Sequence, residues 1–346
     1  MNKKNSSQKI GGQMVLFLGI VLLVFFCLLR GKDVRGIIQL VRGARLPYLV
    51  GGALLACMFI LTEGTNLRIL LKCFGHSVEF ADGIKYGSTG FFFSSITPSS
   101  TGGQPMQLYM MNQDKIMLSH GTLALLMELV SFQSVAFVFE VGAVVVLFLL
   151  RIQLEWYMKL LAGFGFIFNG CFIGFLLAVI FSKSLGDRMI CFLQWVIGKL
   201  PLVAAEKKER WVKKLDEELQ EFRECAVIMK QEKRSIYKVL SVSVVQVICW
   251  FSVPYMIYLA LGQSGVSYGY AFVIQTLIYM ISALLPLPGA VGISELAFLQ
   301  LFGVIYGEKM ITAAVLLSRG ISFYFLLVLS AVLTVVLQVR SIRMRK

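Results

Sequence analysis

Long apolar runs alternate with short polar breaks along this chain. Runs at 14–29, 46–63, 121–150, 159–181, 239–261 and 310–337 approach or exceed the roughly 20 residues that a helix needs to cross the hydrocarbon of a bilayer, and predict six membrane-spanning helices. Two further apolar stretches, 84–112 and 271–306, do not fit that mould. Each has two short arms around a Pro/Gly-rich break, Pro98 to Pro105 in the first and Pro286 to Gly292 in the second. Arms of about 12 to 15 residues span roughly 20 Å as helix, enough to reach the midplane of a membrane but not its far side. The breaks leave backbone N–H and C=O groups unpaired, which lipid does not tolerate, so both belong inside a helix bundle. They read as re-entrant hairpins, with two short full spans as the alternative.

The stretch 182–238 is the one long polar segment. From Trp211, the apolar positions Leu215, Leu219, Phe222, Ala226 and Met229 recur at three- and four-residue steps with Lys and Glu between them. That spacing predicts an amphipathic helix on the bundle or on the membrane surface.

Composition agrees. Of 346 residues, 58% are hydrophobic and 15% charged, and the mean hydropathy is +0.78. So few charged groups cannot cover a water-facing globule, which excludes a soluble enzyme. The expected fold is an all-α polytopic membrane protein, a single membrane domain over 1–346. Its first half (1–181) carries the hairpin at 84–112, the connector covers 182–238, and the second half (239–346) carries the hairpin at 271–306. The start of the chain, with Lys3, Lys4 and Lys9 before an apolar run, is signal-like but lacks a small-residue cleavage site, so an uncleaved first helix is expected.

The net charge of +14 reads as topology and headgroup attraction rather than nucleic-acid binding. With both termini cytoplasmic and each hairpin returning to its starting side, 24 Lys/Arg fall inside and 8 outside, as the positive-inside rule prefers. Residues 30–45 resist, because five basic residues there fall outside. They are expected to form an interfacial helix. In this topology the first hairpin enters from the cytoplasm and the second from outside, the layout of an inverted repeat whose broken helices meet at a midplane site.

Ionisable groups within apolar spans are costly and mark function. Glu63, Glu128, Glu140, Glu295 and Arg319 are the set. Glu63 falls near a predicted span end, and Glu140 has no evident partner. Glu295 follows the second break directly, and Arg319 sits at a depth where the two would pair. Half-helix N-termini suit an anion such as a lipid phosphate. Ser99, Ser100, Thr101, Gly102, Gly103 and Gln104 form that polar end in the first hairpin, and Gly289, Gly292 and Ser294 in the second. Glu128 completes the candidate substrate-binding set. No phosphate-binding loop of the G-x-x-x-x-G-K-[ST] type is present, which argues against direct ATP coupling. The seven cysteines are scattered, no C-x-x-C pair occurs, and His76 and His120 are the two histidines. Neither a metal site, a disulfide framework nor a cofactor is expected.

LPLPGAVGISELAFLQLFGV, the later LLSRGISFY and the earlier ITPSSTGGQPMQLYMM resemble the lysylphosphatidylglycerol synthase/flippase transmembrane family, the membrane module of bacterial multiple-peptide-resistance proteins, over nearly the whole chain. The P-x-P-G-x-x-G-x-x-E motif with its later Arg maps onto Pro286, Pro288, Gly289, Gly292, Glu295 and Arg319. In the first motif, Gln104 and Gln107 replace charged residues, and the usual Glu-Arg pair is here Glu128 followed by Leu129. The resemblance implies a flippase for aminoacylated phosphatidylglycerol or a related anionic or zwitterionic lipid in the bacterial cytoplasmic membrane, linked to cationic-peptide antibiotic resistance. It implies no lysyltransferase activity in this chain, since the cytoplasmic synthase domain is expected to be absent. The alternative is a membrane subunit of lipid aminoacylation or glycolipid synthesis that presents lipid to a separate lipid-modifying enzyme, with the amphipathic helix as its docking surface; a second copy in a homodimer is the other expected partner.

Overall fold

A computed structural model describes residues 32–97, 100–151, 155–182, 205–284 and 290–344, with residues 19, 26, 29, 30 and 195. Most of the predicted first span and the tip residues Pro98, Ser99, Pro286, Pro288 and Gly289 lie outside the described residues. Everything regular among the described residues is helix: α1 (Val34–Arg42), α2 (Leu46–Cys73), α3 (Phe80–Ile96), α4 (Gly103–Gln113), α5 (Leu118–Leu149), α6 (Trp156–Phe181), α7 (Ala205–Gln231), α8 (Lys233–Ala260), α9 (Tyr268–Ser282), α10 (Ile293–Arg319), a π-helical turn (Gly320–Phe325) and α11 (Leu326–Met344). Five described helical segments are long and apolar enough to cross a membrane, and the protein is an all-α polytopic membrane protein.

The first apolar stretch is a hairpin. Asp114, just past α4, meets Lys85 near the start of α3 at 2.6 Å, Gln107 donates to the Tyr86 carbonyl at 3.1 Å, and a Cβ on Gly103 would collide with the Gly90 carbonyl. Pairs that run up one arm and down the other make α3 and α4 antiparallel, with both outer ends on one face. The second stretch repeats this from the opposite face. Gly307 (φ 67, ψ 167) interrupts α10, a left-handed conformation that suits glycine, so 293–306 is the returning arm and the residues after Gly307 belong to the last span. Tyr306 packs on Tyr258 at the C-terminal end of α8, with ring centroids 5.7 Å apart, and Tyr268, the first residue of α9, packs on Tyr255. Both ends of this hairpin therefore lie beside the end of α8. The interfacial reading of 30–45 corresponds to α1, and the Arg45 N–H bonds the Ala260 carbonyl at 2.8 Å on that same face.

The two tips share a backbone. Ser100 (φ 53) and Ala290 (φ 51) are both left-handed, an uncommon conformation for a residue with a side chain. Each is followed two positions later by a glycine cap, Gly102 or Gly292, and then by the second arm. Each position lies 190 residues after its counterpart, and the register extends beyond the tips. Asn66 of α2 bonds Ser243 of α8 at 3.1 Å. The counterparts 190 residues away are Met256 and Ala53, and Met256 packs against the neighbouring Gly52. The central α2–α8 pair, crossing at Phe59 and Trp250 (centroids 4.7 Å apart), is the seam of an inverted repeat.

Polar residues hid the length of α2. Its apolar run fades after residue 63, yet the helix continues to Cys73, because Thr62 and Thr65 bond carbonyls of their own helix and Asn66 is buried against Ser243. Glu63 is therefore not near a span end. Close backbone contact fixes α3 against α2: a Cβ on Gly64 would strike the Gly83 carbonyl, and one on Gly83 would come within 2.7 Å of the Gly64 oxygen. Small residues at such crossings replace the hydrophobic driving force that lipid cannot supply.

The amphipathic connector is α7, and the C-terminal part of its apolar face packs on the bundle. Phe222, Cys225, Ala226 and Met229 join one core cluster with Leu123, Met127 and Val239. Of the predicted apolar stripe, the bundle therefore covers Phe222, Ala226 and Met229; the side chains of Trp211 and Leu215 lie outside the described ones. α7 sits on the face that holds the base of the first hairpin. The end of α11 is there too, because Ser341 meets both Lys85 and Asp114.

Candidate substrate cavity

The hairpin tips converge inside the bundle. Ile96 of the first and Val291 of the second share a buried cluster with Phe323 of the π-helical turn. Beside it, a cavity of about 730 Å³ adjoins one of about 400 Å³, and both are lined by Ser100, Gln133, Trp250, Tyr279 and Arg319. They form one two-lobed space around the arginine. Phe168 of α6 lines the larger lobe and is 47% exposed.

Glu295 and Arg319 meet as the sequence predicts, with Nε 2.6 Å from Oε1. The carboxylate is 2% exposed and the guanidinium side chain 17%, and the guanidinium also lies over the Phe323 ring at 4.8 Å. The other carboxylate oxygen accepts from the Gly292 N–H at 2.6 Å and from the Ser294 hydroxyl at 3.1 Å. Glu295 thus caps its own helix, satisfying an N–H group that would otherwise lack an intrahelical partner. The expectation that the second half-helix end is open to phosphate needs correcting on this ground: the chain's own carboxylate occupies it. Gly292, at φ 98, supplies the turn that lets the carboxylate reach back.

The first tip divides. Ser100 and Gln104 line the cavity. Gly102 and Gly103 do not; Gly102 N–H bonds the Thr97 hydroxyl at 2.9 Å, and Gly103 lets α4 approach Ser94 and Gly90. Thr101 is absent from the lining of both lobes.

Two carboxylates line the same lobe as the arginine. Glu128 lines the smaller lobe with Glu63, and Gln107 donates to Glu63 Oε1 at 2.6 Å while Gln246 faces Glu128. Sequence reasoning named Glu63 as an intramembrane acid but left it out of the site, since a fading apolar run suggested a helix end. Gln107, Gln133, Gln246 and Tyr279 were missed as site residues; uncharged polar groups in apolar runs carry little signal until the fold brings them together. Glu140 gains a partner that sequence did not show, Asn169 of α6, whose amide donates at 2.7 Å.

The fold and this cavity define a polytopic membrane protein with an intramembrane polar site between two inverted broken hairpins. The chain belongs to the family described as the lysylphosphatidylglycerol synthase TM region, whose model matches residues 14–330. It is similar to a UPF0104 membrane protein of Archaeoglobus fulgidus, at 23% identity over 296 residues that cover 83% of this chain and 85% of that one. Membership ties the protein to lipid modification or transport.

Proposed function

We propose that the protein is a phospholipid translocase of the cytoplasmic membrane, with both termini inside, and that the two-lobed cavity holds a headgroup while the acyl chains stay in lipid. The observation that carries this reading is a guanidinium and two carboxylates, Arg319 with Glu63 and Glu128, lining one cavity where both hairpin tips meet. A soluble anion would need no acid pair, and a simple anionic lipid would be repelled by it. A headgroup carrying both phosphate and an amine, such as an aminoacylated phosphatidylglycerol or another zwitterionic lipid, matches both signs: phosphate at Arg319, ammonium between Glu63 and Glu128. Ser100, Gln104 and Gln133 supply hydrogen bonds along the way.

Reconstitution tests this directly. Purified protein in liposomes should move labelled aminoacylated or zwitterionic phospholipid between leaflets, and Arg319→Ala should abolish the movement. Equal rates for wild type, Arg319→Ala and protein-free liposomes would sink the reading.

A further inference from the structure

Away from the cavity, the face that carries α7 holds a cluster of donor atoms with no role in lipid passage. His120, in the first turn of α5, places Nε2 2.9 Å from Oε1 of Glu221 on α7. Cys225, one helical turn further along α7, brings its Sγ into the same group, and the three donor atoms all lie within 4.8 Å of one another. The other ring nitrogen of His120, Nδ1, is 2.7 Å from Nε2 of His76, which the left-handed turn at Gly75 (φ 82) folds back beneath α2. Nothing in the linear spacing pointed to this group. Its members come from the α2–α3 turn, the start of α5 and the C-terminal half of α7.

We propose that His120, Glu221 and Cys225 bind one borderline divalent cation of the Zn²⁺ class, with His76 orienting the His120 ring from behind. Three arguments support it. The donor set is a nitrogen, an oxygen and a sulfur, the mixture that zinc and cobalt take and that calcium and magnesium do not. Tetrahedral zinc keeps its nitrogen and sulfur ligands about 3.5 Å apart, so side-chain rotation closes the observed spread without moving a helix. Ligating histidines hold their second nitrogen on a hydrogen-bond acceptor, and His76 stands where that acceptor belongs. Cys225 is 2% exposed, whereas the Glu221 side chain is 36% exposed, so the site is closed on the bundle side and open to water at Glu221 for metal entry and a fourth, water ligand.

Protons balance as follows. The His120 Nε2 lone pair turns to the metal, Nδ1–H donates to His76, and His76 keeps its remaining proton on Nδ1, so the two rings stay neutral. The Cys225 thiol releases one proton to solvent as the thiolate forms. The bound ion would clamp α7 to α5 and to the α2–α3 turn, making the connector between the two repeats a metal-dependent brace.

Full-length protein in nanodiscs, stripped with chelator and titrated with Co²⁺, is the test. Wild type should take up one Co²⁺ per chain with thiolate-to-metal charge-transfer absorption, displaced by Zn²⁺. Cys225→Ser should lose that absorption and His120→Asn the tight binding, whereas Cys171→Ser, on the exposed side of α6, should behave as wild type. His76→Gln should keep the absorption but bind about 10- to 100-fold more weakly. Variants are compared only when their elution and helical circular dichroism match wild type, and His120→Asn and Cys225→Ser each test the site independently. Wild type that binds no more Co²⁺ or Zn²⁺ than these two variants would overturn the proposal.

Discussion

Arg319 carries two duties that mutation can separate. It lines the cavity, and it neutralises Glu295, which is 2% exposed. Removing one partner of a buried ion pair typically costs about 3–5 kcal/mol, whereas replacing both by apolar or neutral groups is often tolerated. Arg319→Met should therefore lower the melting temperature and abolish lipid movement together. Arg319→Met with Glu295→Gln should recover most of the melting temperature while remaining inactive; recovery of activity in the double variant would show that the arginine serves folding alone. Glu63→Gln and Glu128→Gln should change selectivity instead, reducing movement of amine-bearing lipids at least about 10-fold, the effect of losing roughly 1.4 kcal/mol, with little loss for lipids lacking an amine. Competition between headgroups in mixed liposomes reads this out. The Glu295–Arg319 pair was legible because both charges interrupt apolar runs. Glu63 was legible as a charge but not as a site residue, since its depth depends on how far α2 continues, which burial of Thr62 and Asn66 decides.

At the scale of elements, both hairpins were readable from their proline and glycine breaks, and the contacts at their bases decide for hairpins over two short full spans. The ties that close them were not readable. The first hairpin is fastened at its base by Lys85, 1% exposed, bonded to Asp114 at 2.6 Å and Asp82 at 3.0 Å, with Tyr86 also on Asp114. A lysine three residues after Asp82 at the start of the arm, in FADGIKYGST, looks solvent-facing until the arms are folded together. Lys85→Met should destabilise the protein by about 3–5 kcal/mol by stranding Asp114, and adding Asp114→Leu should return much of it, as a thermal-unfolding series in detergent would show. Gly64→Leu is expected to destabilise severely, because its side chain would enter the Gly83 backbone. Normal yield and melting temperature for that variant would contradict the α2–α3 crossing described above.

Across the whole molecule, the 190-residue register relates two halves of unequal chemistry. Leu129 occupies the position equivalent to Arg319, and Pro105 that of Glu295, so the positive charge belongs to the second half, while Glu63 and Glu128 come from the first. Weak sequence likeness between the halves concealed the register, which only the shared left-handed tips and the α2–α8 seam reveal. The face assignment predicts labelling: in a background whose native cysteines are replaced, Ser77→Cys should be shielded from a membrane-impermeant maleimide applied outside cells, whereas Ser264→Cys should react. The reverse pattern would invert the orientation. The pairing of Arg319 with Glu295 also bears on turnover. On the proposed reading, a headgroup phosphate arriving at that arginine would displace an anion already in place, and the displaced carboxylate would keep its bonds to Gly292 and Ser294. Capture would then be an ion exchange whose net affinity is the small difference between two anions, and a site built this way would let its cargo go as easily as it takes it on.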